Sequence, residues 1–171
     1  MPETSFFEAE PQDAQLLIRR LSERERLLVL AESCTAGLAA DLLARVPGAS
    51  KVFWGSFVCY TAQAKIAMLG IDPRRLERYG LVSRETACDM AQAALAKSGA
   101  FIAGAVTGIA GPGGDGSGLP PGTVWIATAL RGAAPRAALF NFGGCRGEVR
   151  NQAAQTLIKE LLGVLDKGNE N

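Results

Sequence analysis

Apolar positions change their spacing along the chain, and the changes divide it into elements. From Gln12 to Arg24, Ala14, Leu17, Ile18 and Leu21 recur at helical intervals opposite Arg19, Arg20 and Glu23, which predicts an amphipathic helix. The run Leu27 to Ala31 is short and wholly apolar, the pattern of a strand buried on both faces of a sheet. Glu32-Ser33-Cys34-Thr35 then forms a turn into Ala36 to Arg45, whose composition favours helix. Val52 to Tyr60 is rich in β-branched and aromatic residues and reads as a second strand, with a helix over Thr61 to Leu69 starting directly after it. Ser83 to Ser98 is an alanine-rich helix with Ser83 as N-cap and Gly99 just past its end. Phe101 to Val106 is another apolar strand. Gly122 to Leu130 and Ala137 to Phe142 read as adjacent strands joined by a turn at Gly132 to Pro135, and Arg146 to Leu165 as a closing helix.

This alternation predicts an α/β fold, a three-layer sandwich with a mixed central sheet flanked by helices, because the late hairpin cannot be parallel. With 171 residues the chain fits one domain, its core spanning about 12–165 between polar tails. Composition narrows the function classes. Basic and acidic residues nearly balance, 18 against 17, and the basic ones are scattered, which argues against nucleic acid as a partner. Charged residues at 20% and hydrophobic ones at 48% fit a globular protein and no membrane partner; the apolar share also suggests a homo-oligomer. Met1 to Asp13 holds four acidic residues and lacks the basic and apolar regions of a signal peptide, so a cytoplasmic protein is expected. Cys34, Cys59, Cys88 and Cys145 show no C-x-x-C spacing and are expected as reduced thiols.

The chain has no histidine, which removes the Ser-His-Asp triad, the Cys-His pair and any histidine-bearing zinc site. No metal and no cofactor is expected. Three predicted strands end in hydroxyl-bearing segments, Glu32-Ser33-Cys34-Thr35, Tyr60-Thr61 and Thr107-Gly108, and ligands of open α/β sheets bind at such ends. Ser33 reads either as a simple N-cap or as a nucleophile at a helix N-terminus, where backbone amides can stabilise an oxyanion; Thr35 is also placed to cap. Cys34 is the rival nucleophile and ranks behind Ser33. Without histidine the proton of Ser33 needs a Tyr or Lys, and Tyr60 with Lys65 supplies that pair if the strand end and the first helical turns meet; otherwise they are a buried aromatic and a solvated lysine. The loop from Gly108 to Gly122 holds seven glycines and three prolines, and reads either as an anion-binding loop or as a flexible surface loop. Arg146 and Arg150 share a helix face suited to phosphate or simply to solvent.

Together these segments resemble the CinA C-terminal family, the nicotinamide-nucleotide amidohydrolases, from about Leu30 to Leu162. The resemblance rests on Ala31-Glu32-Ser33-Cys34-Thr35-Ala36-Gly37, on Tyr60 with Lys65 followed by Leu69-Gly70, on Thr107-Gly108-Ile109-Ala110-Gly111-Pro112, and on Gly122-Thr123-Val124-Trp125. It implies an enzyme of the pyridine nucleotide cycle, converting nicotinamide mononucleotide to nicotinate mononucleotide and ammonia. Ser33, Tyr60, Lys65 and Thr107 take the catalytic positions under this resemblance; Thr35, Gly37, Gly108, Gly111, Arg146 and Arg150 are the substrate-binding candidates. Two positions depart from the family pattern: Ala36 stands where the serine motif has a first glycine, and Tyr60-Thr61-Ala62 where the family reads Tyr-Ser-Asn. They motivate the alternative of a catalytically idle paralogue that binds a nucleotide or a partner protein.

Overall fold

The computed structural model describes residues 12–114 and 116–167; the expected N-terminal tail lies outside them, while the start of the expected C-terminal tail continues the last helix as far as Lys167. Five strands, β1 (Leu28–Glu32), β2 (Phe53–Val58), β3 (Ile102–Gly108), β4 (Thr123–Leu130) and β5 (Arg136–Asn141), form one sheet in the order β2-β1-β3-β4-β5. β1 pairs in parallel with both β2 and β3, whereas β3/β4 and β4/β5 are antiparallel, so the sheet is mixed. Helices α1 (Gln12–Glu23), α2 (Leu38–Ala44) and α6 (Arg146–Lys167) cover one face. The other face carries α4 (Pro73–Tyr79) and α5 (Arg84–Ser98), giving the three-layer α/β sandwich.

The two faces are packed differently because their side chains differ. Towards α5 the central strands present Ala31, Ala103, Ala105, Ala127 and Ala129, and the helix answers with Ala87, Ala91 and Ala94, so it lies close to the sheet. Towards α1 and α6 the layer is leucine-rich, and space is kept by Gly104, where a Cβ would stand 2.9 Å from Leu157 and 3.0 Å from Leu161. Alternate strand residues thus serve separate cores, as a strand buried on both sides requires.

The order of the strands decides where a ligand can bind. From β1 the chain passes through α2 to β2 on one side, then through α4 and α5 on the opposite face to β3 on the other side. The C-terminal end of β1 is therefore a topological switch point, where diverging connections leave a crevice. Ser33 is the residue that follows β1.

Two local findings differ from the sequence expectations. The helix expected over Thr61 to Leu69 is one α-turn, α3 (Ala62–Ala64), capped by the Thr61 hydroxyl, followed by a π-helical turn over Lys65–Leu69 that ends at Gly70 with φ 75°. Helix α4 was not anticipated, although Asp72 as N-cap, Pro73 at the first position and Gly80 past its end are helix boundary signals. Only Leu76 of this helix is buried, which leaves little apolar periodicity to detect. Among the described residues no helix is long and apolar enough to cross a membrane.

Candidate active site

At the switch point a pocket of ≈ 230 Å³ opens beside Ser33. Ser33, Cys34, Tyr60 and Lys65 line it together with Thr107, the segment Gly108 to Gly111, Gly113 and Gly114, and Leu81 with Val82 add an apolar wall. Arg146, from the start of α6, completes the lining.

The nucleophile candidate is set by its neighbours. The Ser33 amide donates to the Val106 carbonyl at 3.0 Å, continuing the β1/β3 pairing by one residue and holding the loop against the sheet. Lys65 Nζ donates to Ser33 Oγ at 2.9 Å and to the Cys59 carbonyl at 2.9 Å, and the Ser33 hydroxyl faces the Tyr60 carbonyl at 3.5 Å. Lys65 is 1% exposed. Burial disfavours its charged form and lowers its pKa from 10.5 to about 8, against a smaller opposite pull from the cysteines Cys59 and Cys34. A lysine so tuned is neutral in a usable fraction near neutral pH and hydrogen-bonded to a serine hydroxyl, which is the arrangement of a base and its nucleophile. Cys34 is a poor rival: burial pushes its thiol up to about 11.

Tyr60 does not share this contact. Its hydroxyl accepts from Arg146 Nη2 at 2.6 Å, and Arg146 Nη1 donates to the Gly111 carbonyl at 2.7 Å. One guanidinium thus ties the end of β2 to the glycine-rich loop across the pocket. Among the described residues the lining contains two cationic side chains, Lys65 and Arg146, and no carboxylate. Such a cavity favours an anionic ligand.

Several expected ligand groups are engaged elsewhere. Glu32, 0% exposed, directs its carboxylate at α2 and accepts from the Gly37 and Ala39 amides and the Thr35 hydroxyl at one oxygen, and from the Ala40 amide and Ser56 hydroxyl at the other. Of the amides at the start of α2, Glu32 therefore takes those of Gly37, Ala39 and Ala40. Thr35 and Gly37 lie outside the pocket lining, Gly37 being the left-handed N-cap of α2 at φ 93°. Arg150 is also outside it: Nε donates to the Cys34 carbonyl at 3.1 Å and Nη2 to the Thr35 carbonyl at 2.7 Å, clamping the loop after β1 to α6. Arg146 and Arg150, expected to act together, have separate tasks. Thr107 lines the pocket, but its hydroxyl donates to the Leu81 carbonyl at 2.8 Å. Gly108 is needed for packing, since a Cβ there would meet the Thr123 carbonyl oxygen at 2.7 Å.

Sequence reasoning missed Glu32 and the Leu81-Val82 wall. The first carried a signal, because a carboxylate ending an apolar strand must be fully hydrogen-bonded if it is buried. The second did not stand out, being two apolar residues between a helix and an N-cap. All four cysteines are free thiols. No group of three His, Cys, Asp or Glu side chains among the described residues is arranged to hold a metal ion.

Comparisons with known proteins agree over nearly the whole chain. The family model of the CinA C-terminal domain matches residues 11–165. A CinA-like protein of Akkermansia muciniphila is 42% identical over 146 residues, covering 85% of this chain and 35% of the relative. A CinA-like protein of Chlorobaculum tepidum is 40% identical over 152 residues, covering 86% of this chain and 36% of its own length. The chain thus spans about a third of the length of these curated relatives. Among solved structures, the competence/damage inducible protein CihA from Agrobacterium tumefaciens superposes with a TM-score of 0.85 at 38% identity, covering 94% of this chain and 99% of that one. A competence-damaged protein (CinA) superfamily protein from Escherichia coli gives 0.87 at 33% identity, covering 91% and 90%.

Proposed function

The chain belongs to the CinA C-terminal domain family, and from that premise we propose that it is an amidohydrolase that deamidates nicotinamide mononucleotide to nicotinate mononucleotide and ammonia. The observation that carries this reading is the buried contact of Lys65 Nζ with Ser33 Oγ at 2.9 Å, with the lysine pKa lowered to about 8. When Lys65 is neutral the same contact runs in reverse, with the serine hydroxyl donating to the amine. Ser33 Oγ then attacks the carboxamide carbon while its proton passes to Lys65. Collapse of the tetrahedral intermediate breaks the C–N bond, and Lys65 returns the proton to the departing ammonia. Water then attacks the acyl carbon as its proton passes to Lys65, and collapse breaks the acyl C–Oγ bond, with Lys65 returning the proton to Ser33 Oγ as the carboxylate leaves.

The cationic end of the pocket suits the rest of such a substrate. Arg146 is a bidentate donor for a phosphate, and the Tyr60 hydroxyl and Gly111 carbonyl hold its guanidinium in place. Lys65 is the base in this scheme, and Tyr60 acts at the phosphate end and through its carbonyl next to Ser33. Thr107 serves by holding the pocket wall.

The test is ammonia release from nicotinamide mononucleotide by the purified, chelator-treated protein, beside Ser33→Ala. Turnover that disappears in the variant supports the serine amidohydrolase. Binding of the mononucleotide by the wild type without ammonia release would instead favour the catalytically idle paralogue.

A further inference from the structure

The Leu81-Val82 segment is held by hydroxyls more firmly than its position in a loop requires. It leaves α4 at Gly80, whose φ of 81° and ψ of 167° suit glycine alone, and it enters α5 at the N-cap Ser83. Thr107, which lines the pocket, donates its Oγ1 hydrogen to the Leu81 carbonyl at 2.8 Å. Thr86 Oγ1 donates to the Gly80 carbonyl at 2.6 Å, and Ser83 Oγ approaches the same oxygen at 3.4 Å. Thr86 is 1% exposed and lies outside the pocket lining, and its amide is bound to the Ser83 hydroxyl at 3.1 Å. The segment therefore has the Leu81 carbonyl anchored by a residue of the pocket lining and the preceding carbonyl, of Gly80, anchored by one outside it.

What these bonds fix is the part of the described pocket lining that comes from between α4 and α5: two branched apolar side chains, Leu81 and Val82. A planar ring lying in the pocket needs such a surface at a set distance from the nucleophile. We propose that Thr86 is a positioning residue that, through the Gly80 carbonyl, holds Leu81 and Val82 as the face against which the substrate's aromatic ring lies. This rests on the amidohydrolase reading, and it assigns to the α4–α5 junction the recognition of the ring, apart from the chemistry at Ser33 and the phosphate contact at Arg146.

The experiment is steady-state turnover of nicotinamide mononucleotide by wild type, Thr86→Val, Thr86→Ser and Leu81→Ala. Thr86→Val keeps the shape and removes the hydroxyl, and loss of one buried hydrogen bond of this kind is expected to raise KM about fivefold to tenfold with kcat within about twofold. Thr86→Ser restores KM, because it restores the donor. Leu81→Ala, which trims the wall and leaves the three anchors in place, raises KM in the same way and keeps the proposal testable should Thr86→Val fail to fold. An unchanged KM in Leu81→Ala or in folded Thr86→Val, a fall in kcat equal to the change in kcat/KM, or no rescue by serine overturns the positioning role while leaving the amidohydrolase intact. A wild type that neither binds nor turns over the mononucleotide overturns the parent reading and this one with it.

Discussion

Glu32 and Lys65 flank the same serine, both side chains are removed from solvent, and they are treated in opposite ways. The Glu32 carboxylate accepts five hydrogen bonds, three from helix amides and two from hydroxyls, so its charge is spread over donors that fold with it. Lys65 has two acceptors, a serine hydroxyl and one carbonyl, too few to replace the water an ammonium loses. The first arrangement makes an anchor: it joins the end of β1 to α2 and, through Ser56, to β2. Under the proposed function the second makes a base, because an undersolvated ammonium gives up its proton more easily. Burial by itself does not make a group reactive; burial with incomplete replacement of water does.

That contrast can be broken most severely at the lysine. Lys65→Met removes the proton acceptor, and ammonia release is expected to fall by about a thousandfold or more, within the range usual for loss of a general base. Lys65→Arg should not rescue it, since a guanidinium stays charged at every working pH. A rescue above a few per cent would remove Lys65 from the base role.

The pH dependence follows from the direction of the lysine shift. Only neutral Lys65 accepts the serine proton, so kcat/KM should climb about tenfold per pH unit below pH 8 and level off above it, the folded pKa being about 8. Stability moves the same way for a different reason. Below pH 8 the lysine is protonated in both folded and unfolded chains, and the cost of burying the charge is fully present. Between about 8 and the ordinary value of 10.5 the unfolded chain binds the proton and the folded one does not, so unfolding becomes harder as pH rises. Denaturant midpoints of wild type and Lys65→Met across this window check the sign: the wild type should gain on the variant by an amount on the order of 3 kcal/mol.

On the other side, Glu32→Gln leaves the shape but replaces one acceptor oxygen with a donor facing donors. A loss of about 2–4 kcal/mol in urea unfolding is expected, with kcat per folded molecule reduced far less than in Lys65→Met. Equal losses of activity in the two variants would abolish the distinction between anchor and base. The smallest effect is at Ala36, which follows the Glu32-bound loop at φ 52°, a left-handed conformation costly to a residue with a Cβ. Ala36→Gly should stabilise the protein by about 0.5–1 kcal/mol, the relief of strain exceeding the added freedom of the unfolded chain. Thermal unfolding by circular dichroism measures this gain.

Much of the architecture can be read along the chain. Leu27 to Ala31 and Phe101 to Val106 are short runs without charged or polar side chains, as expected of strands covered on both faces, and both lie inside the sheet. Ser83 and Gly99 mark the ends of α5 as their capping chemistry demands. Helix α4 was missed because its boundary residues frame one buried side chain and no periodic stripe. At the site, residue types at strand ends pointed to Ser33, Tyr60 and Thr107, and the absence of histidine directed attention to Lys65. The lack of histidine made Tyr60 and Lys65 a candidate pair that their spacing left open, and in the structure the lysine bonds to Ser33, 32 residues away, and the tyrosine hydroxyl to Arg146, 86 residues away.

What the sequence determined by itself is local: which segments are strand or helix, where the chain turns, and which groups are chemically able to act without histidine or zinc. Backbone propensity and side-chain periodicity operate within a few residues, so those properties are written in the immediate order of amino acids. Which donors fill the carboxylate of Glu32, which acceptors Lys65 is left with, and which face of the pocket Leu81 and Val82 present were decided only by the tertiary structure. Placing β1 between β2 and β3 brings distant segments to one crevice, and solvation of a buried charge is a sum over whatever those segments bring.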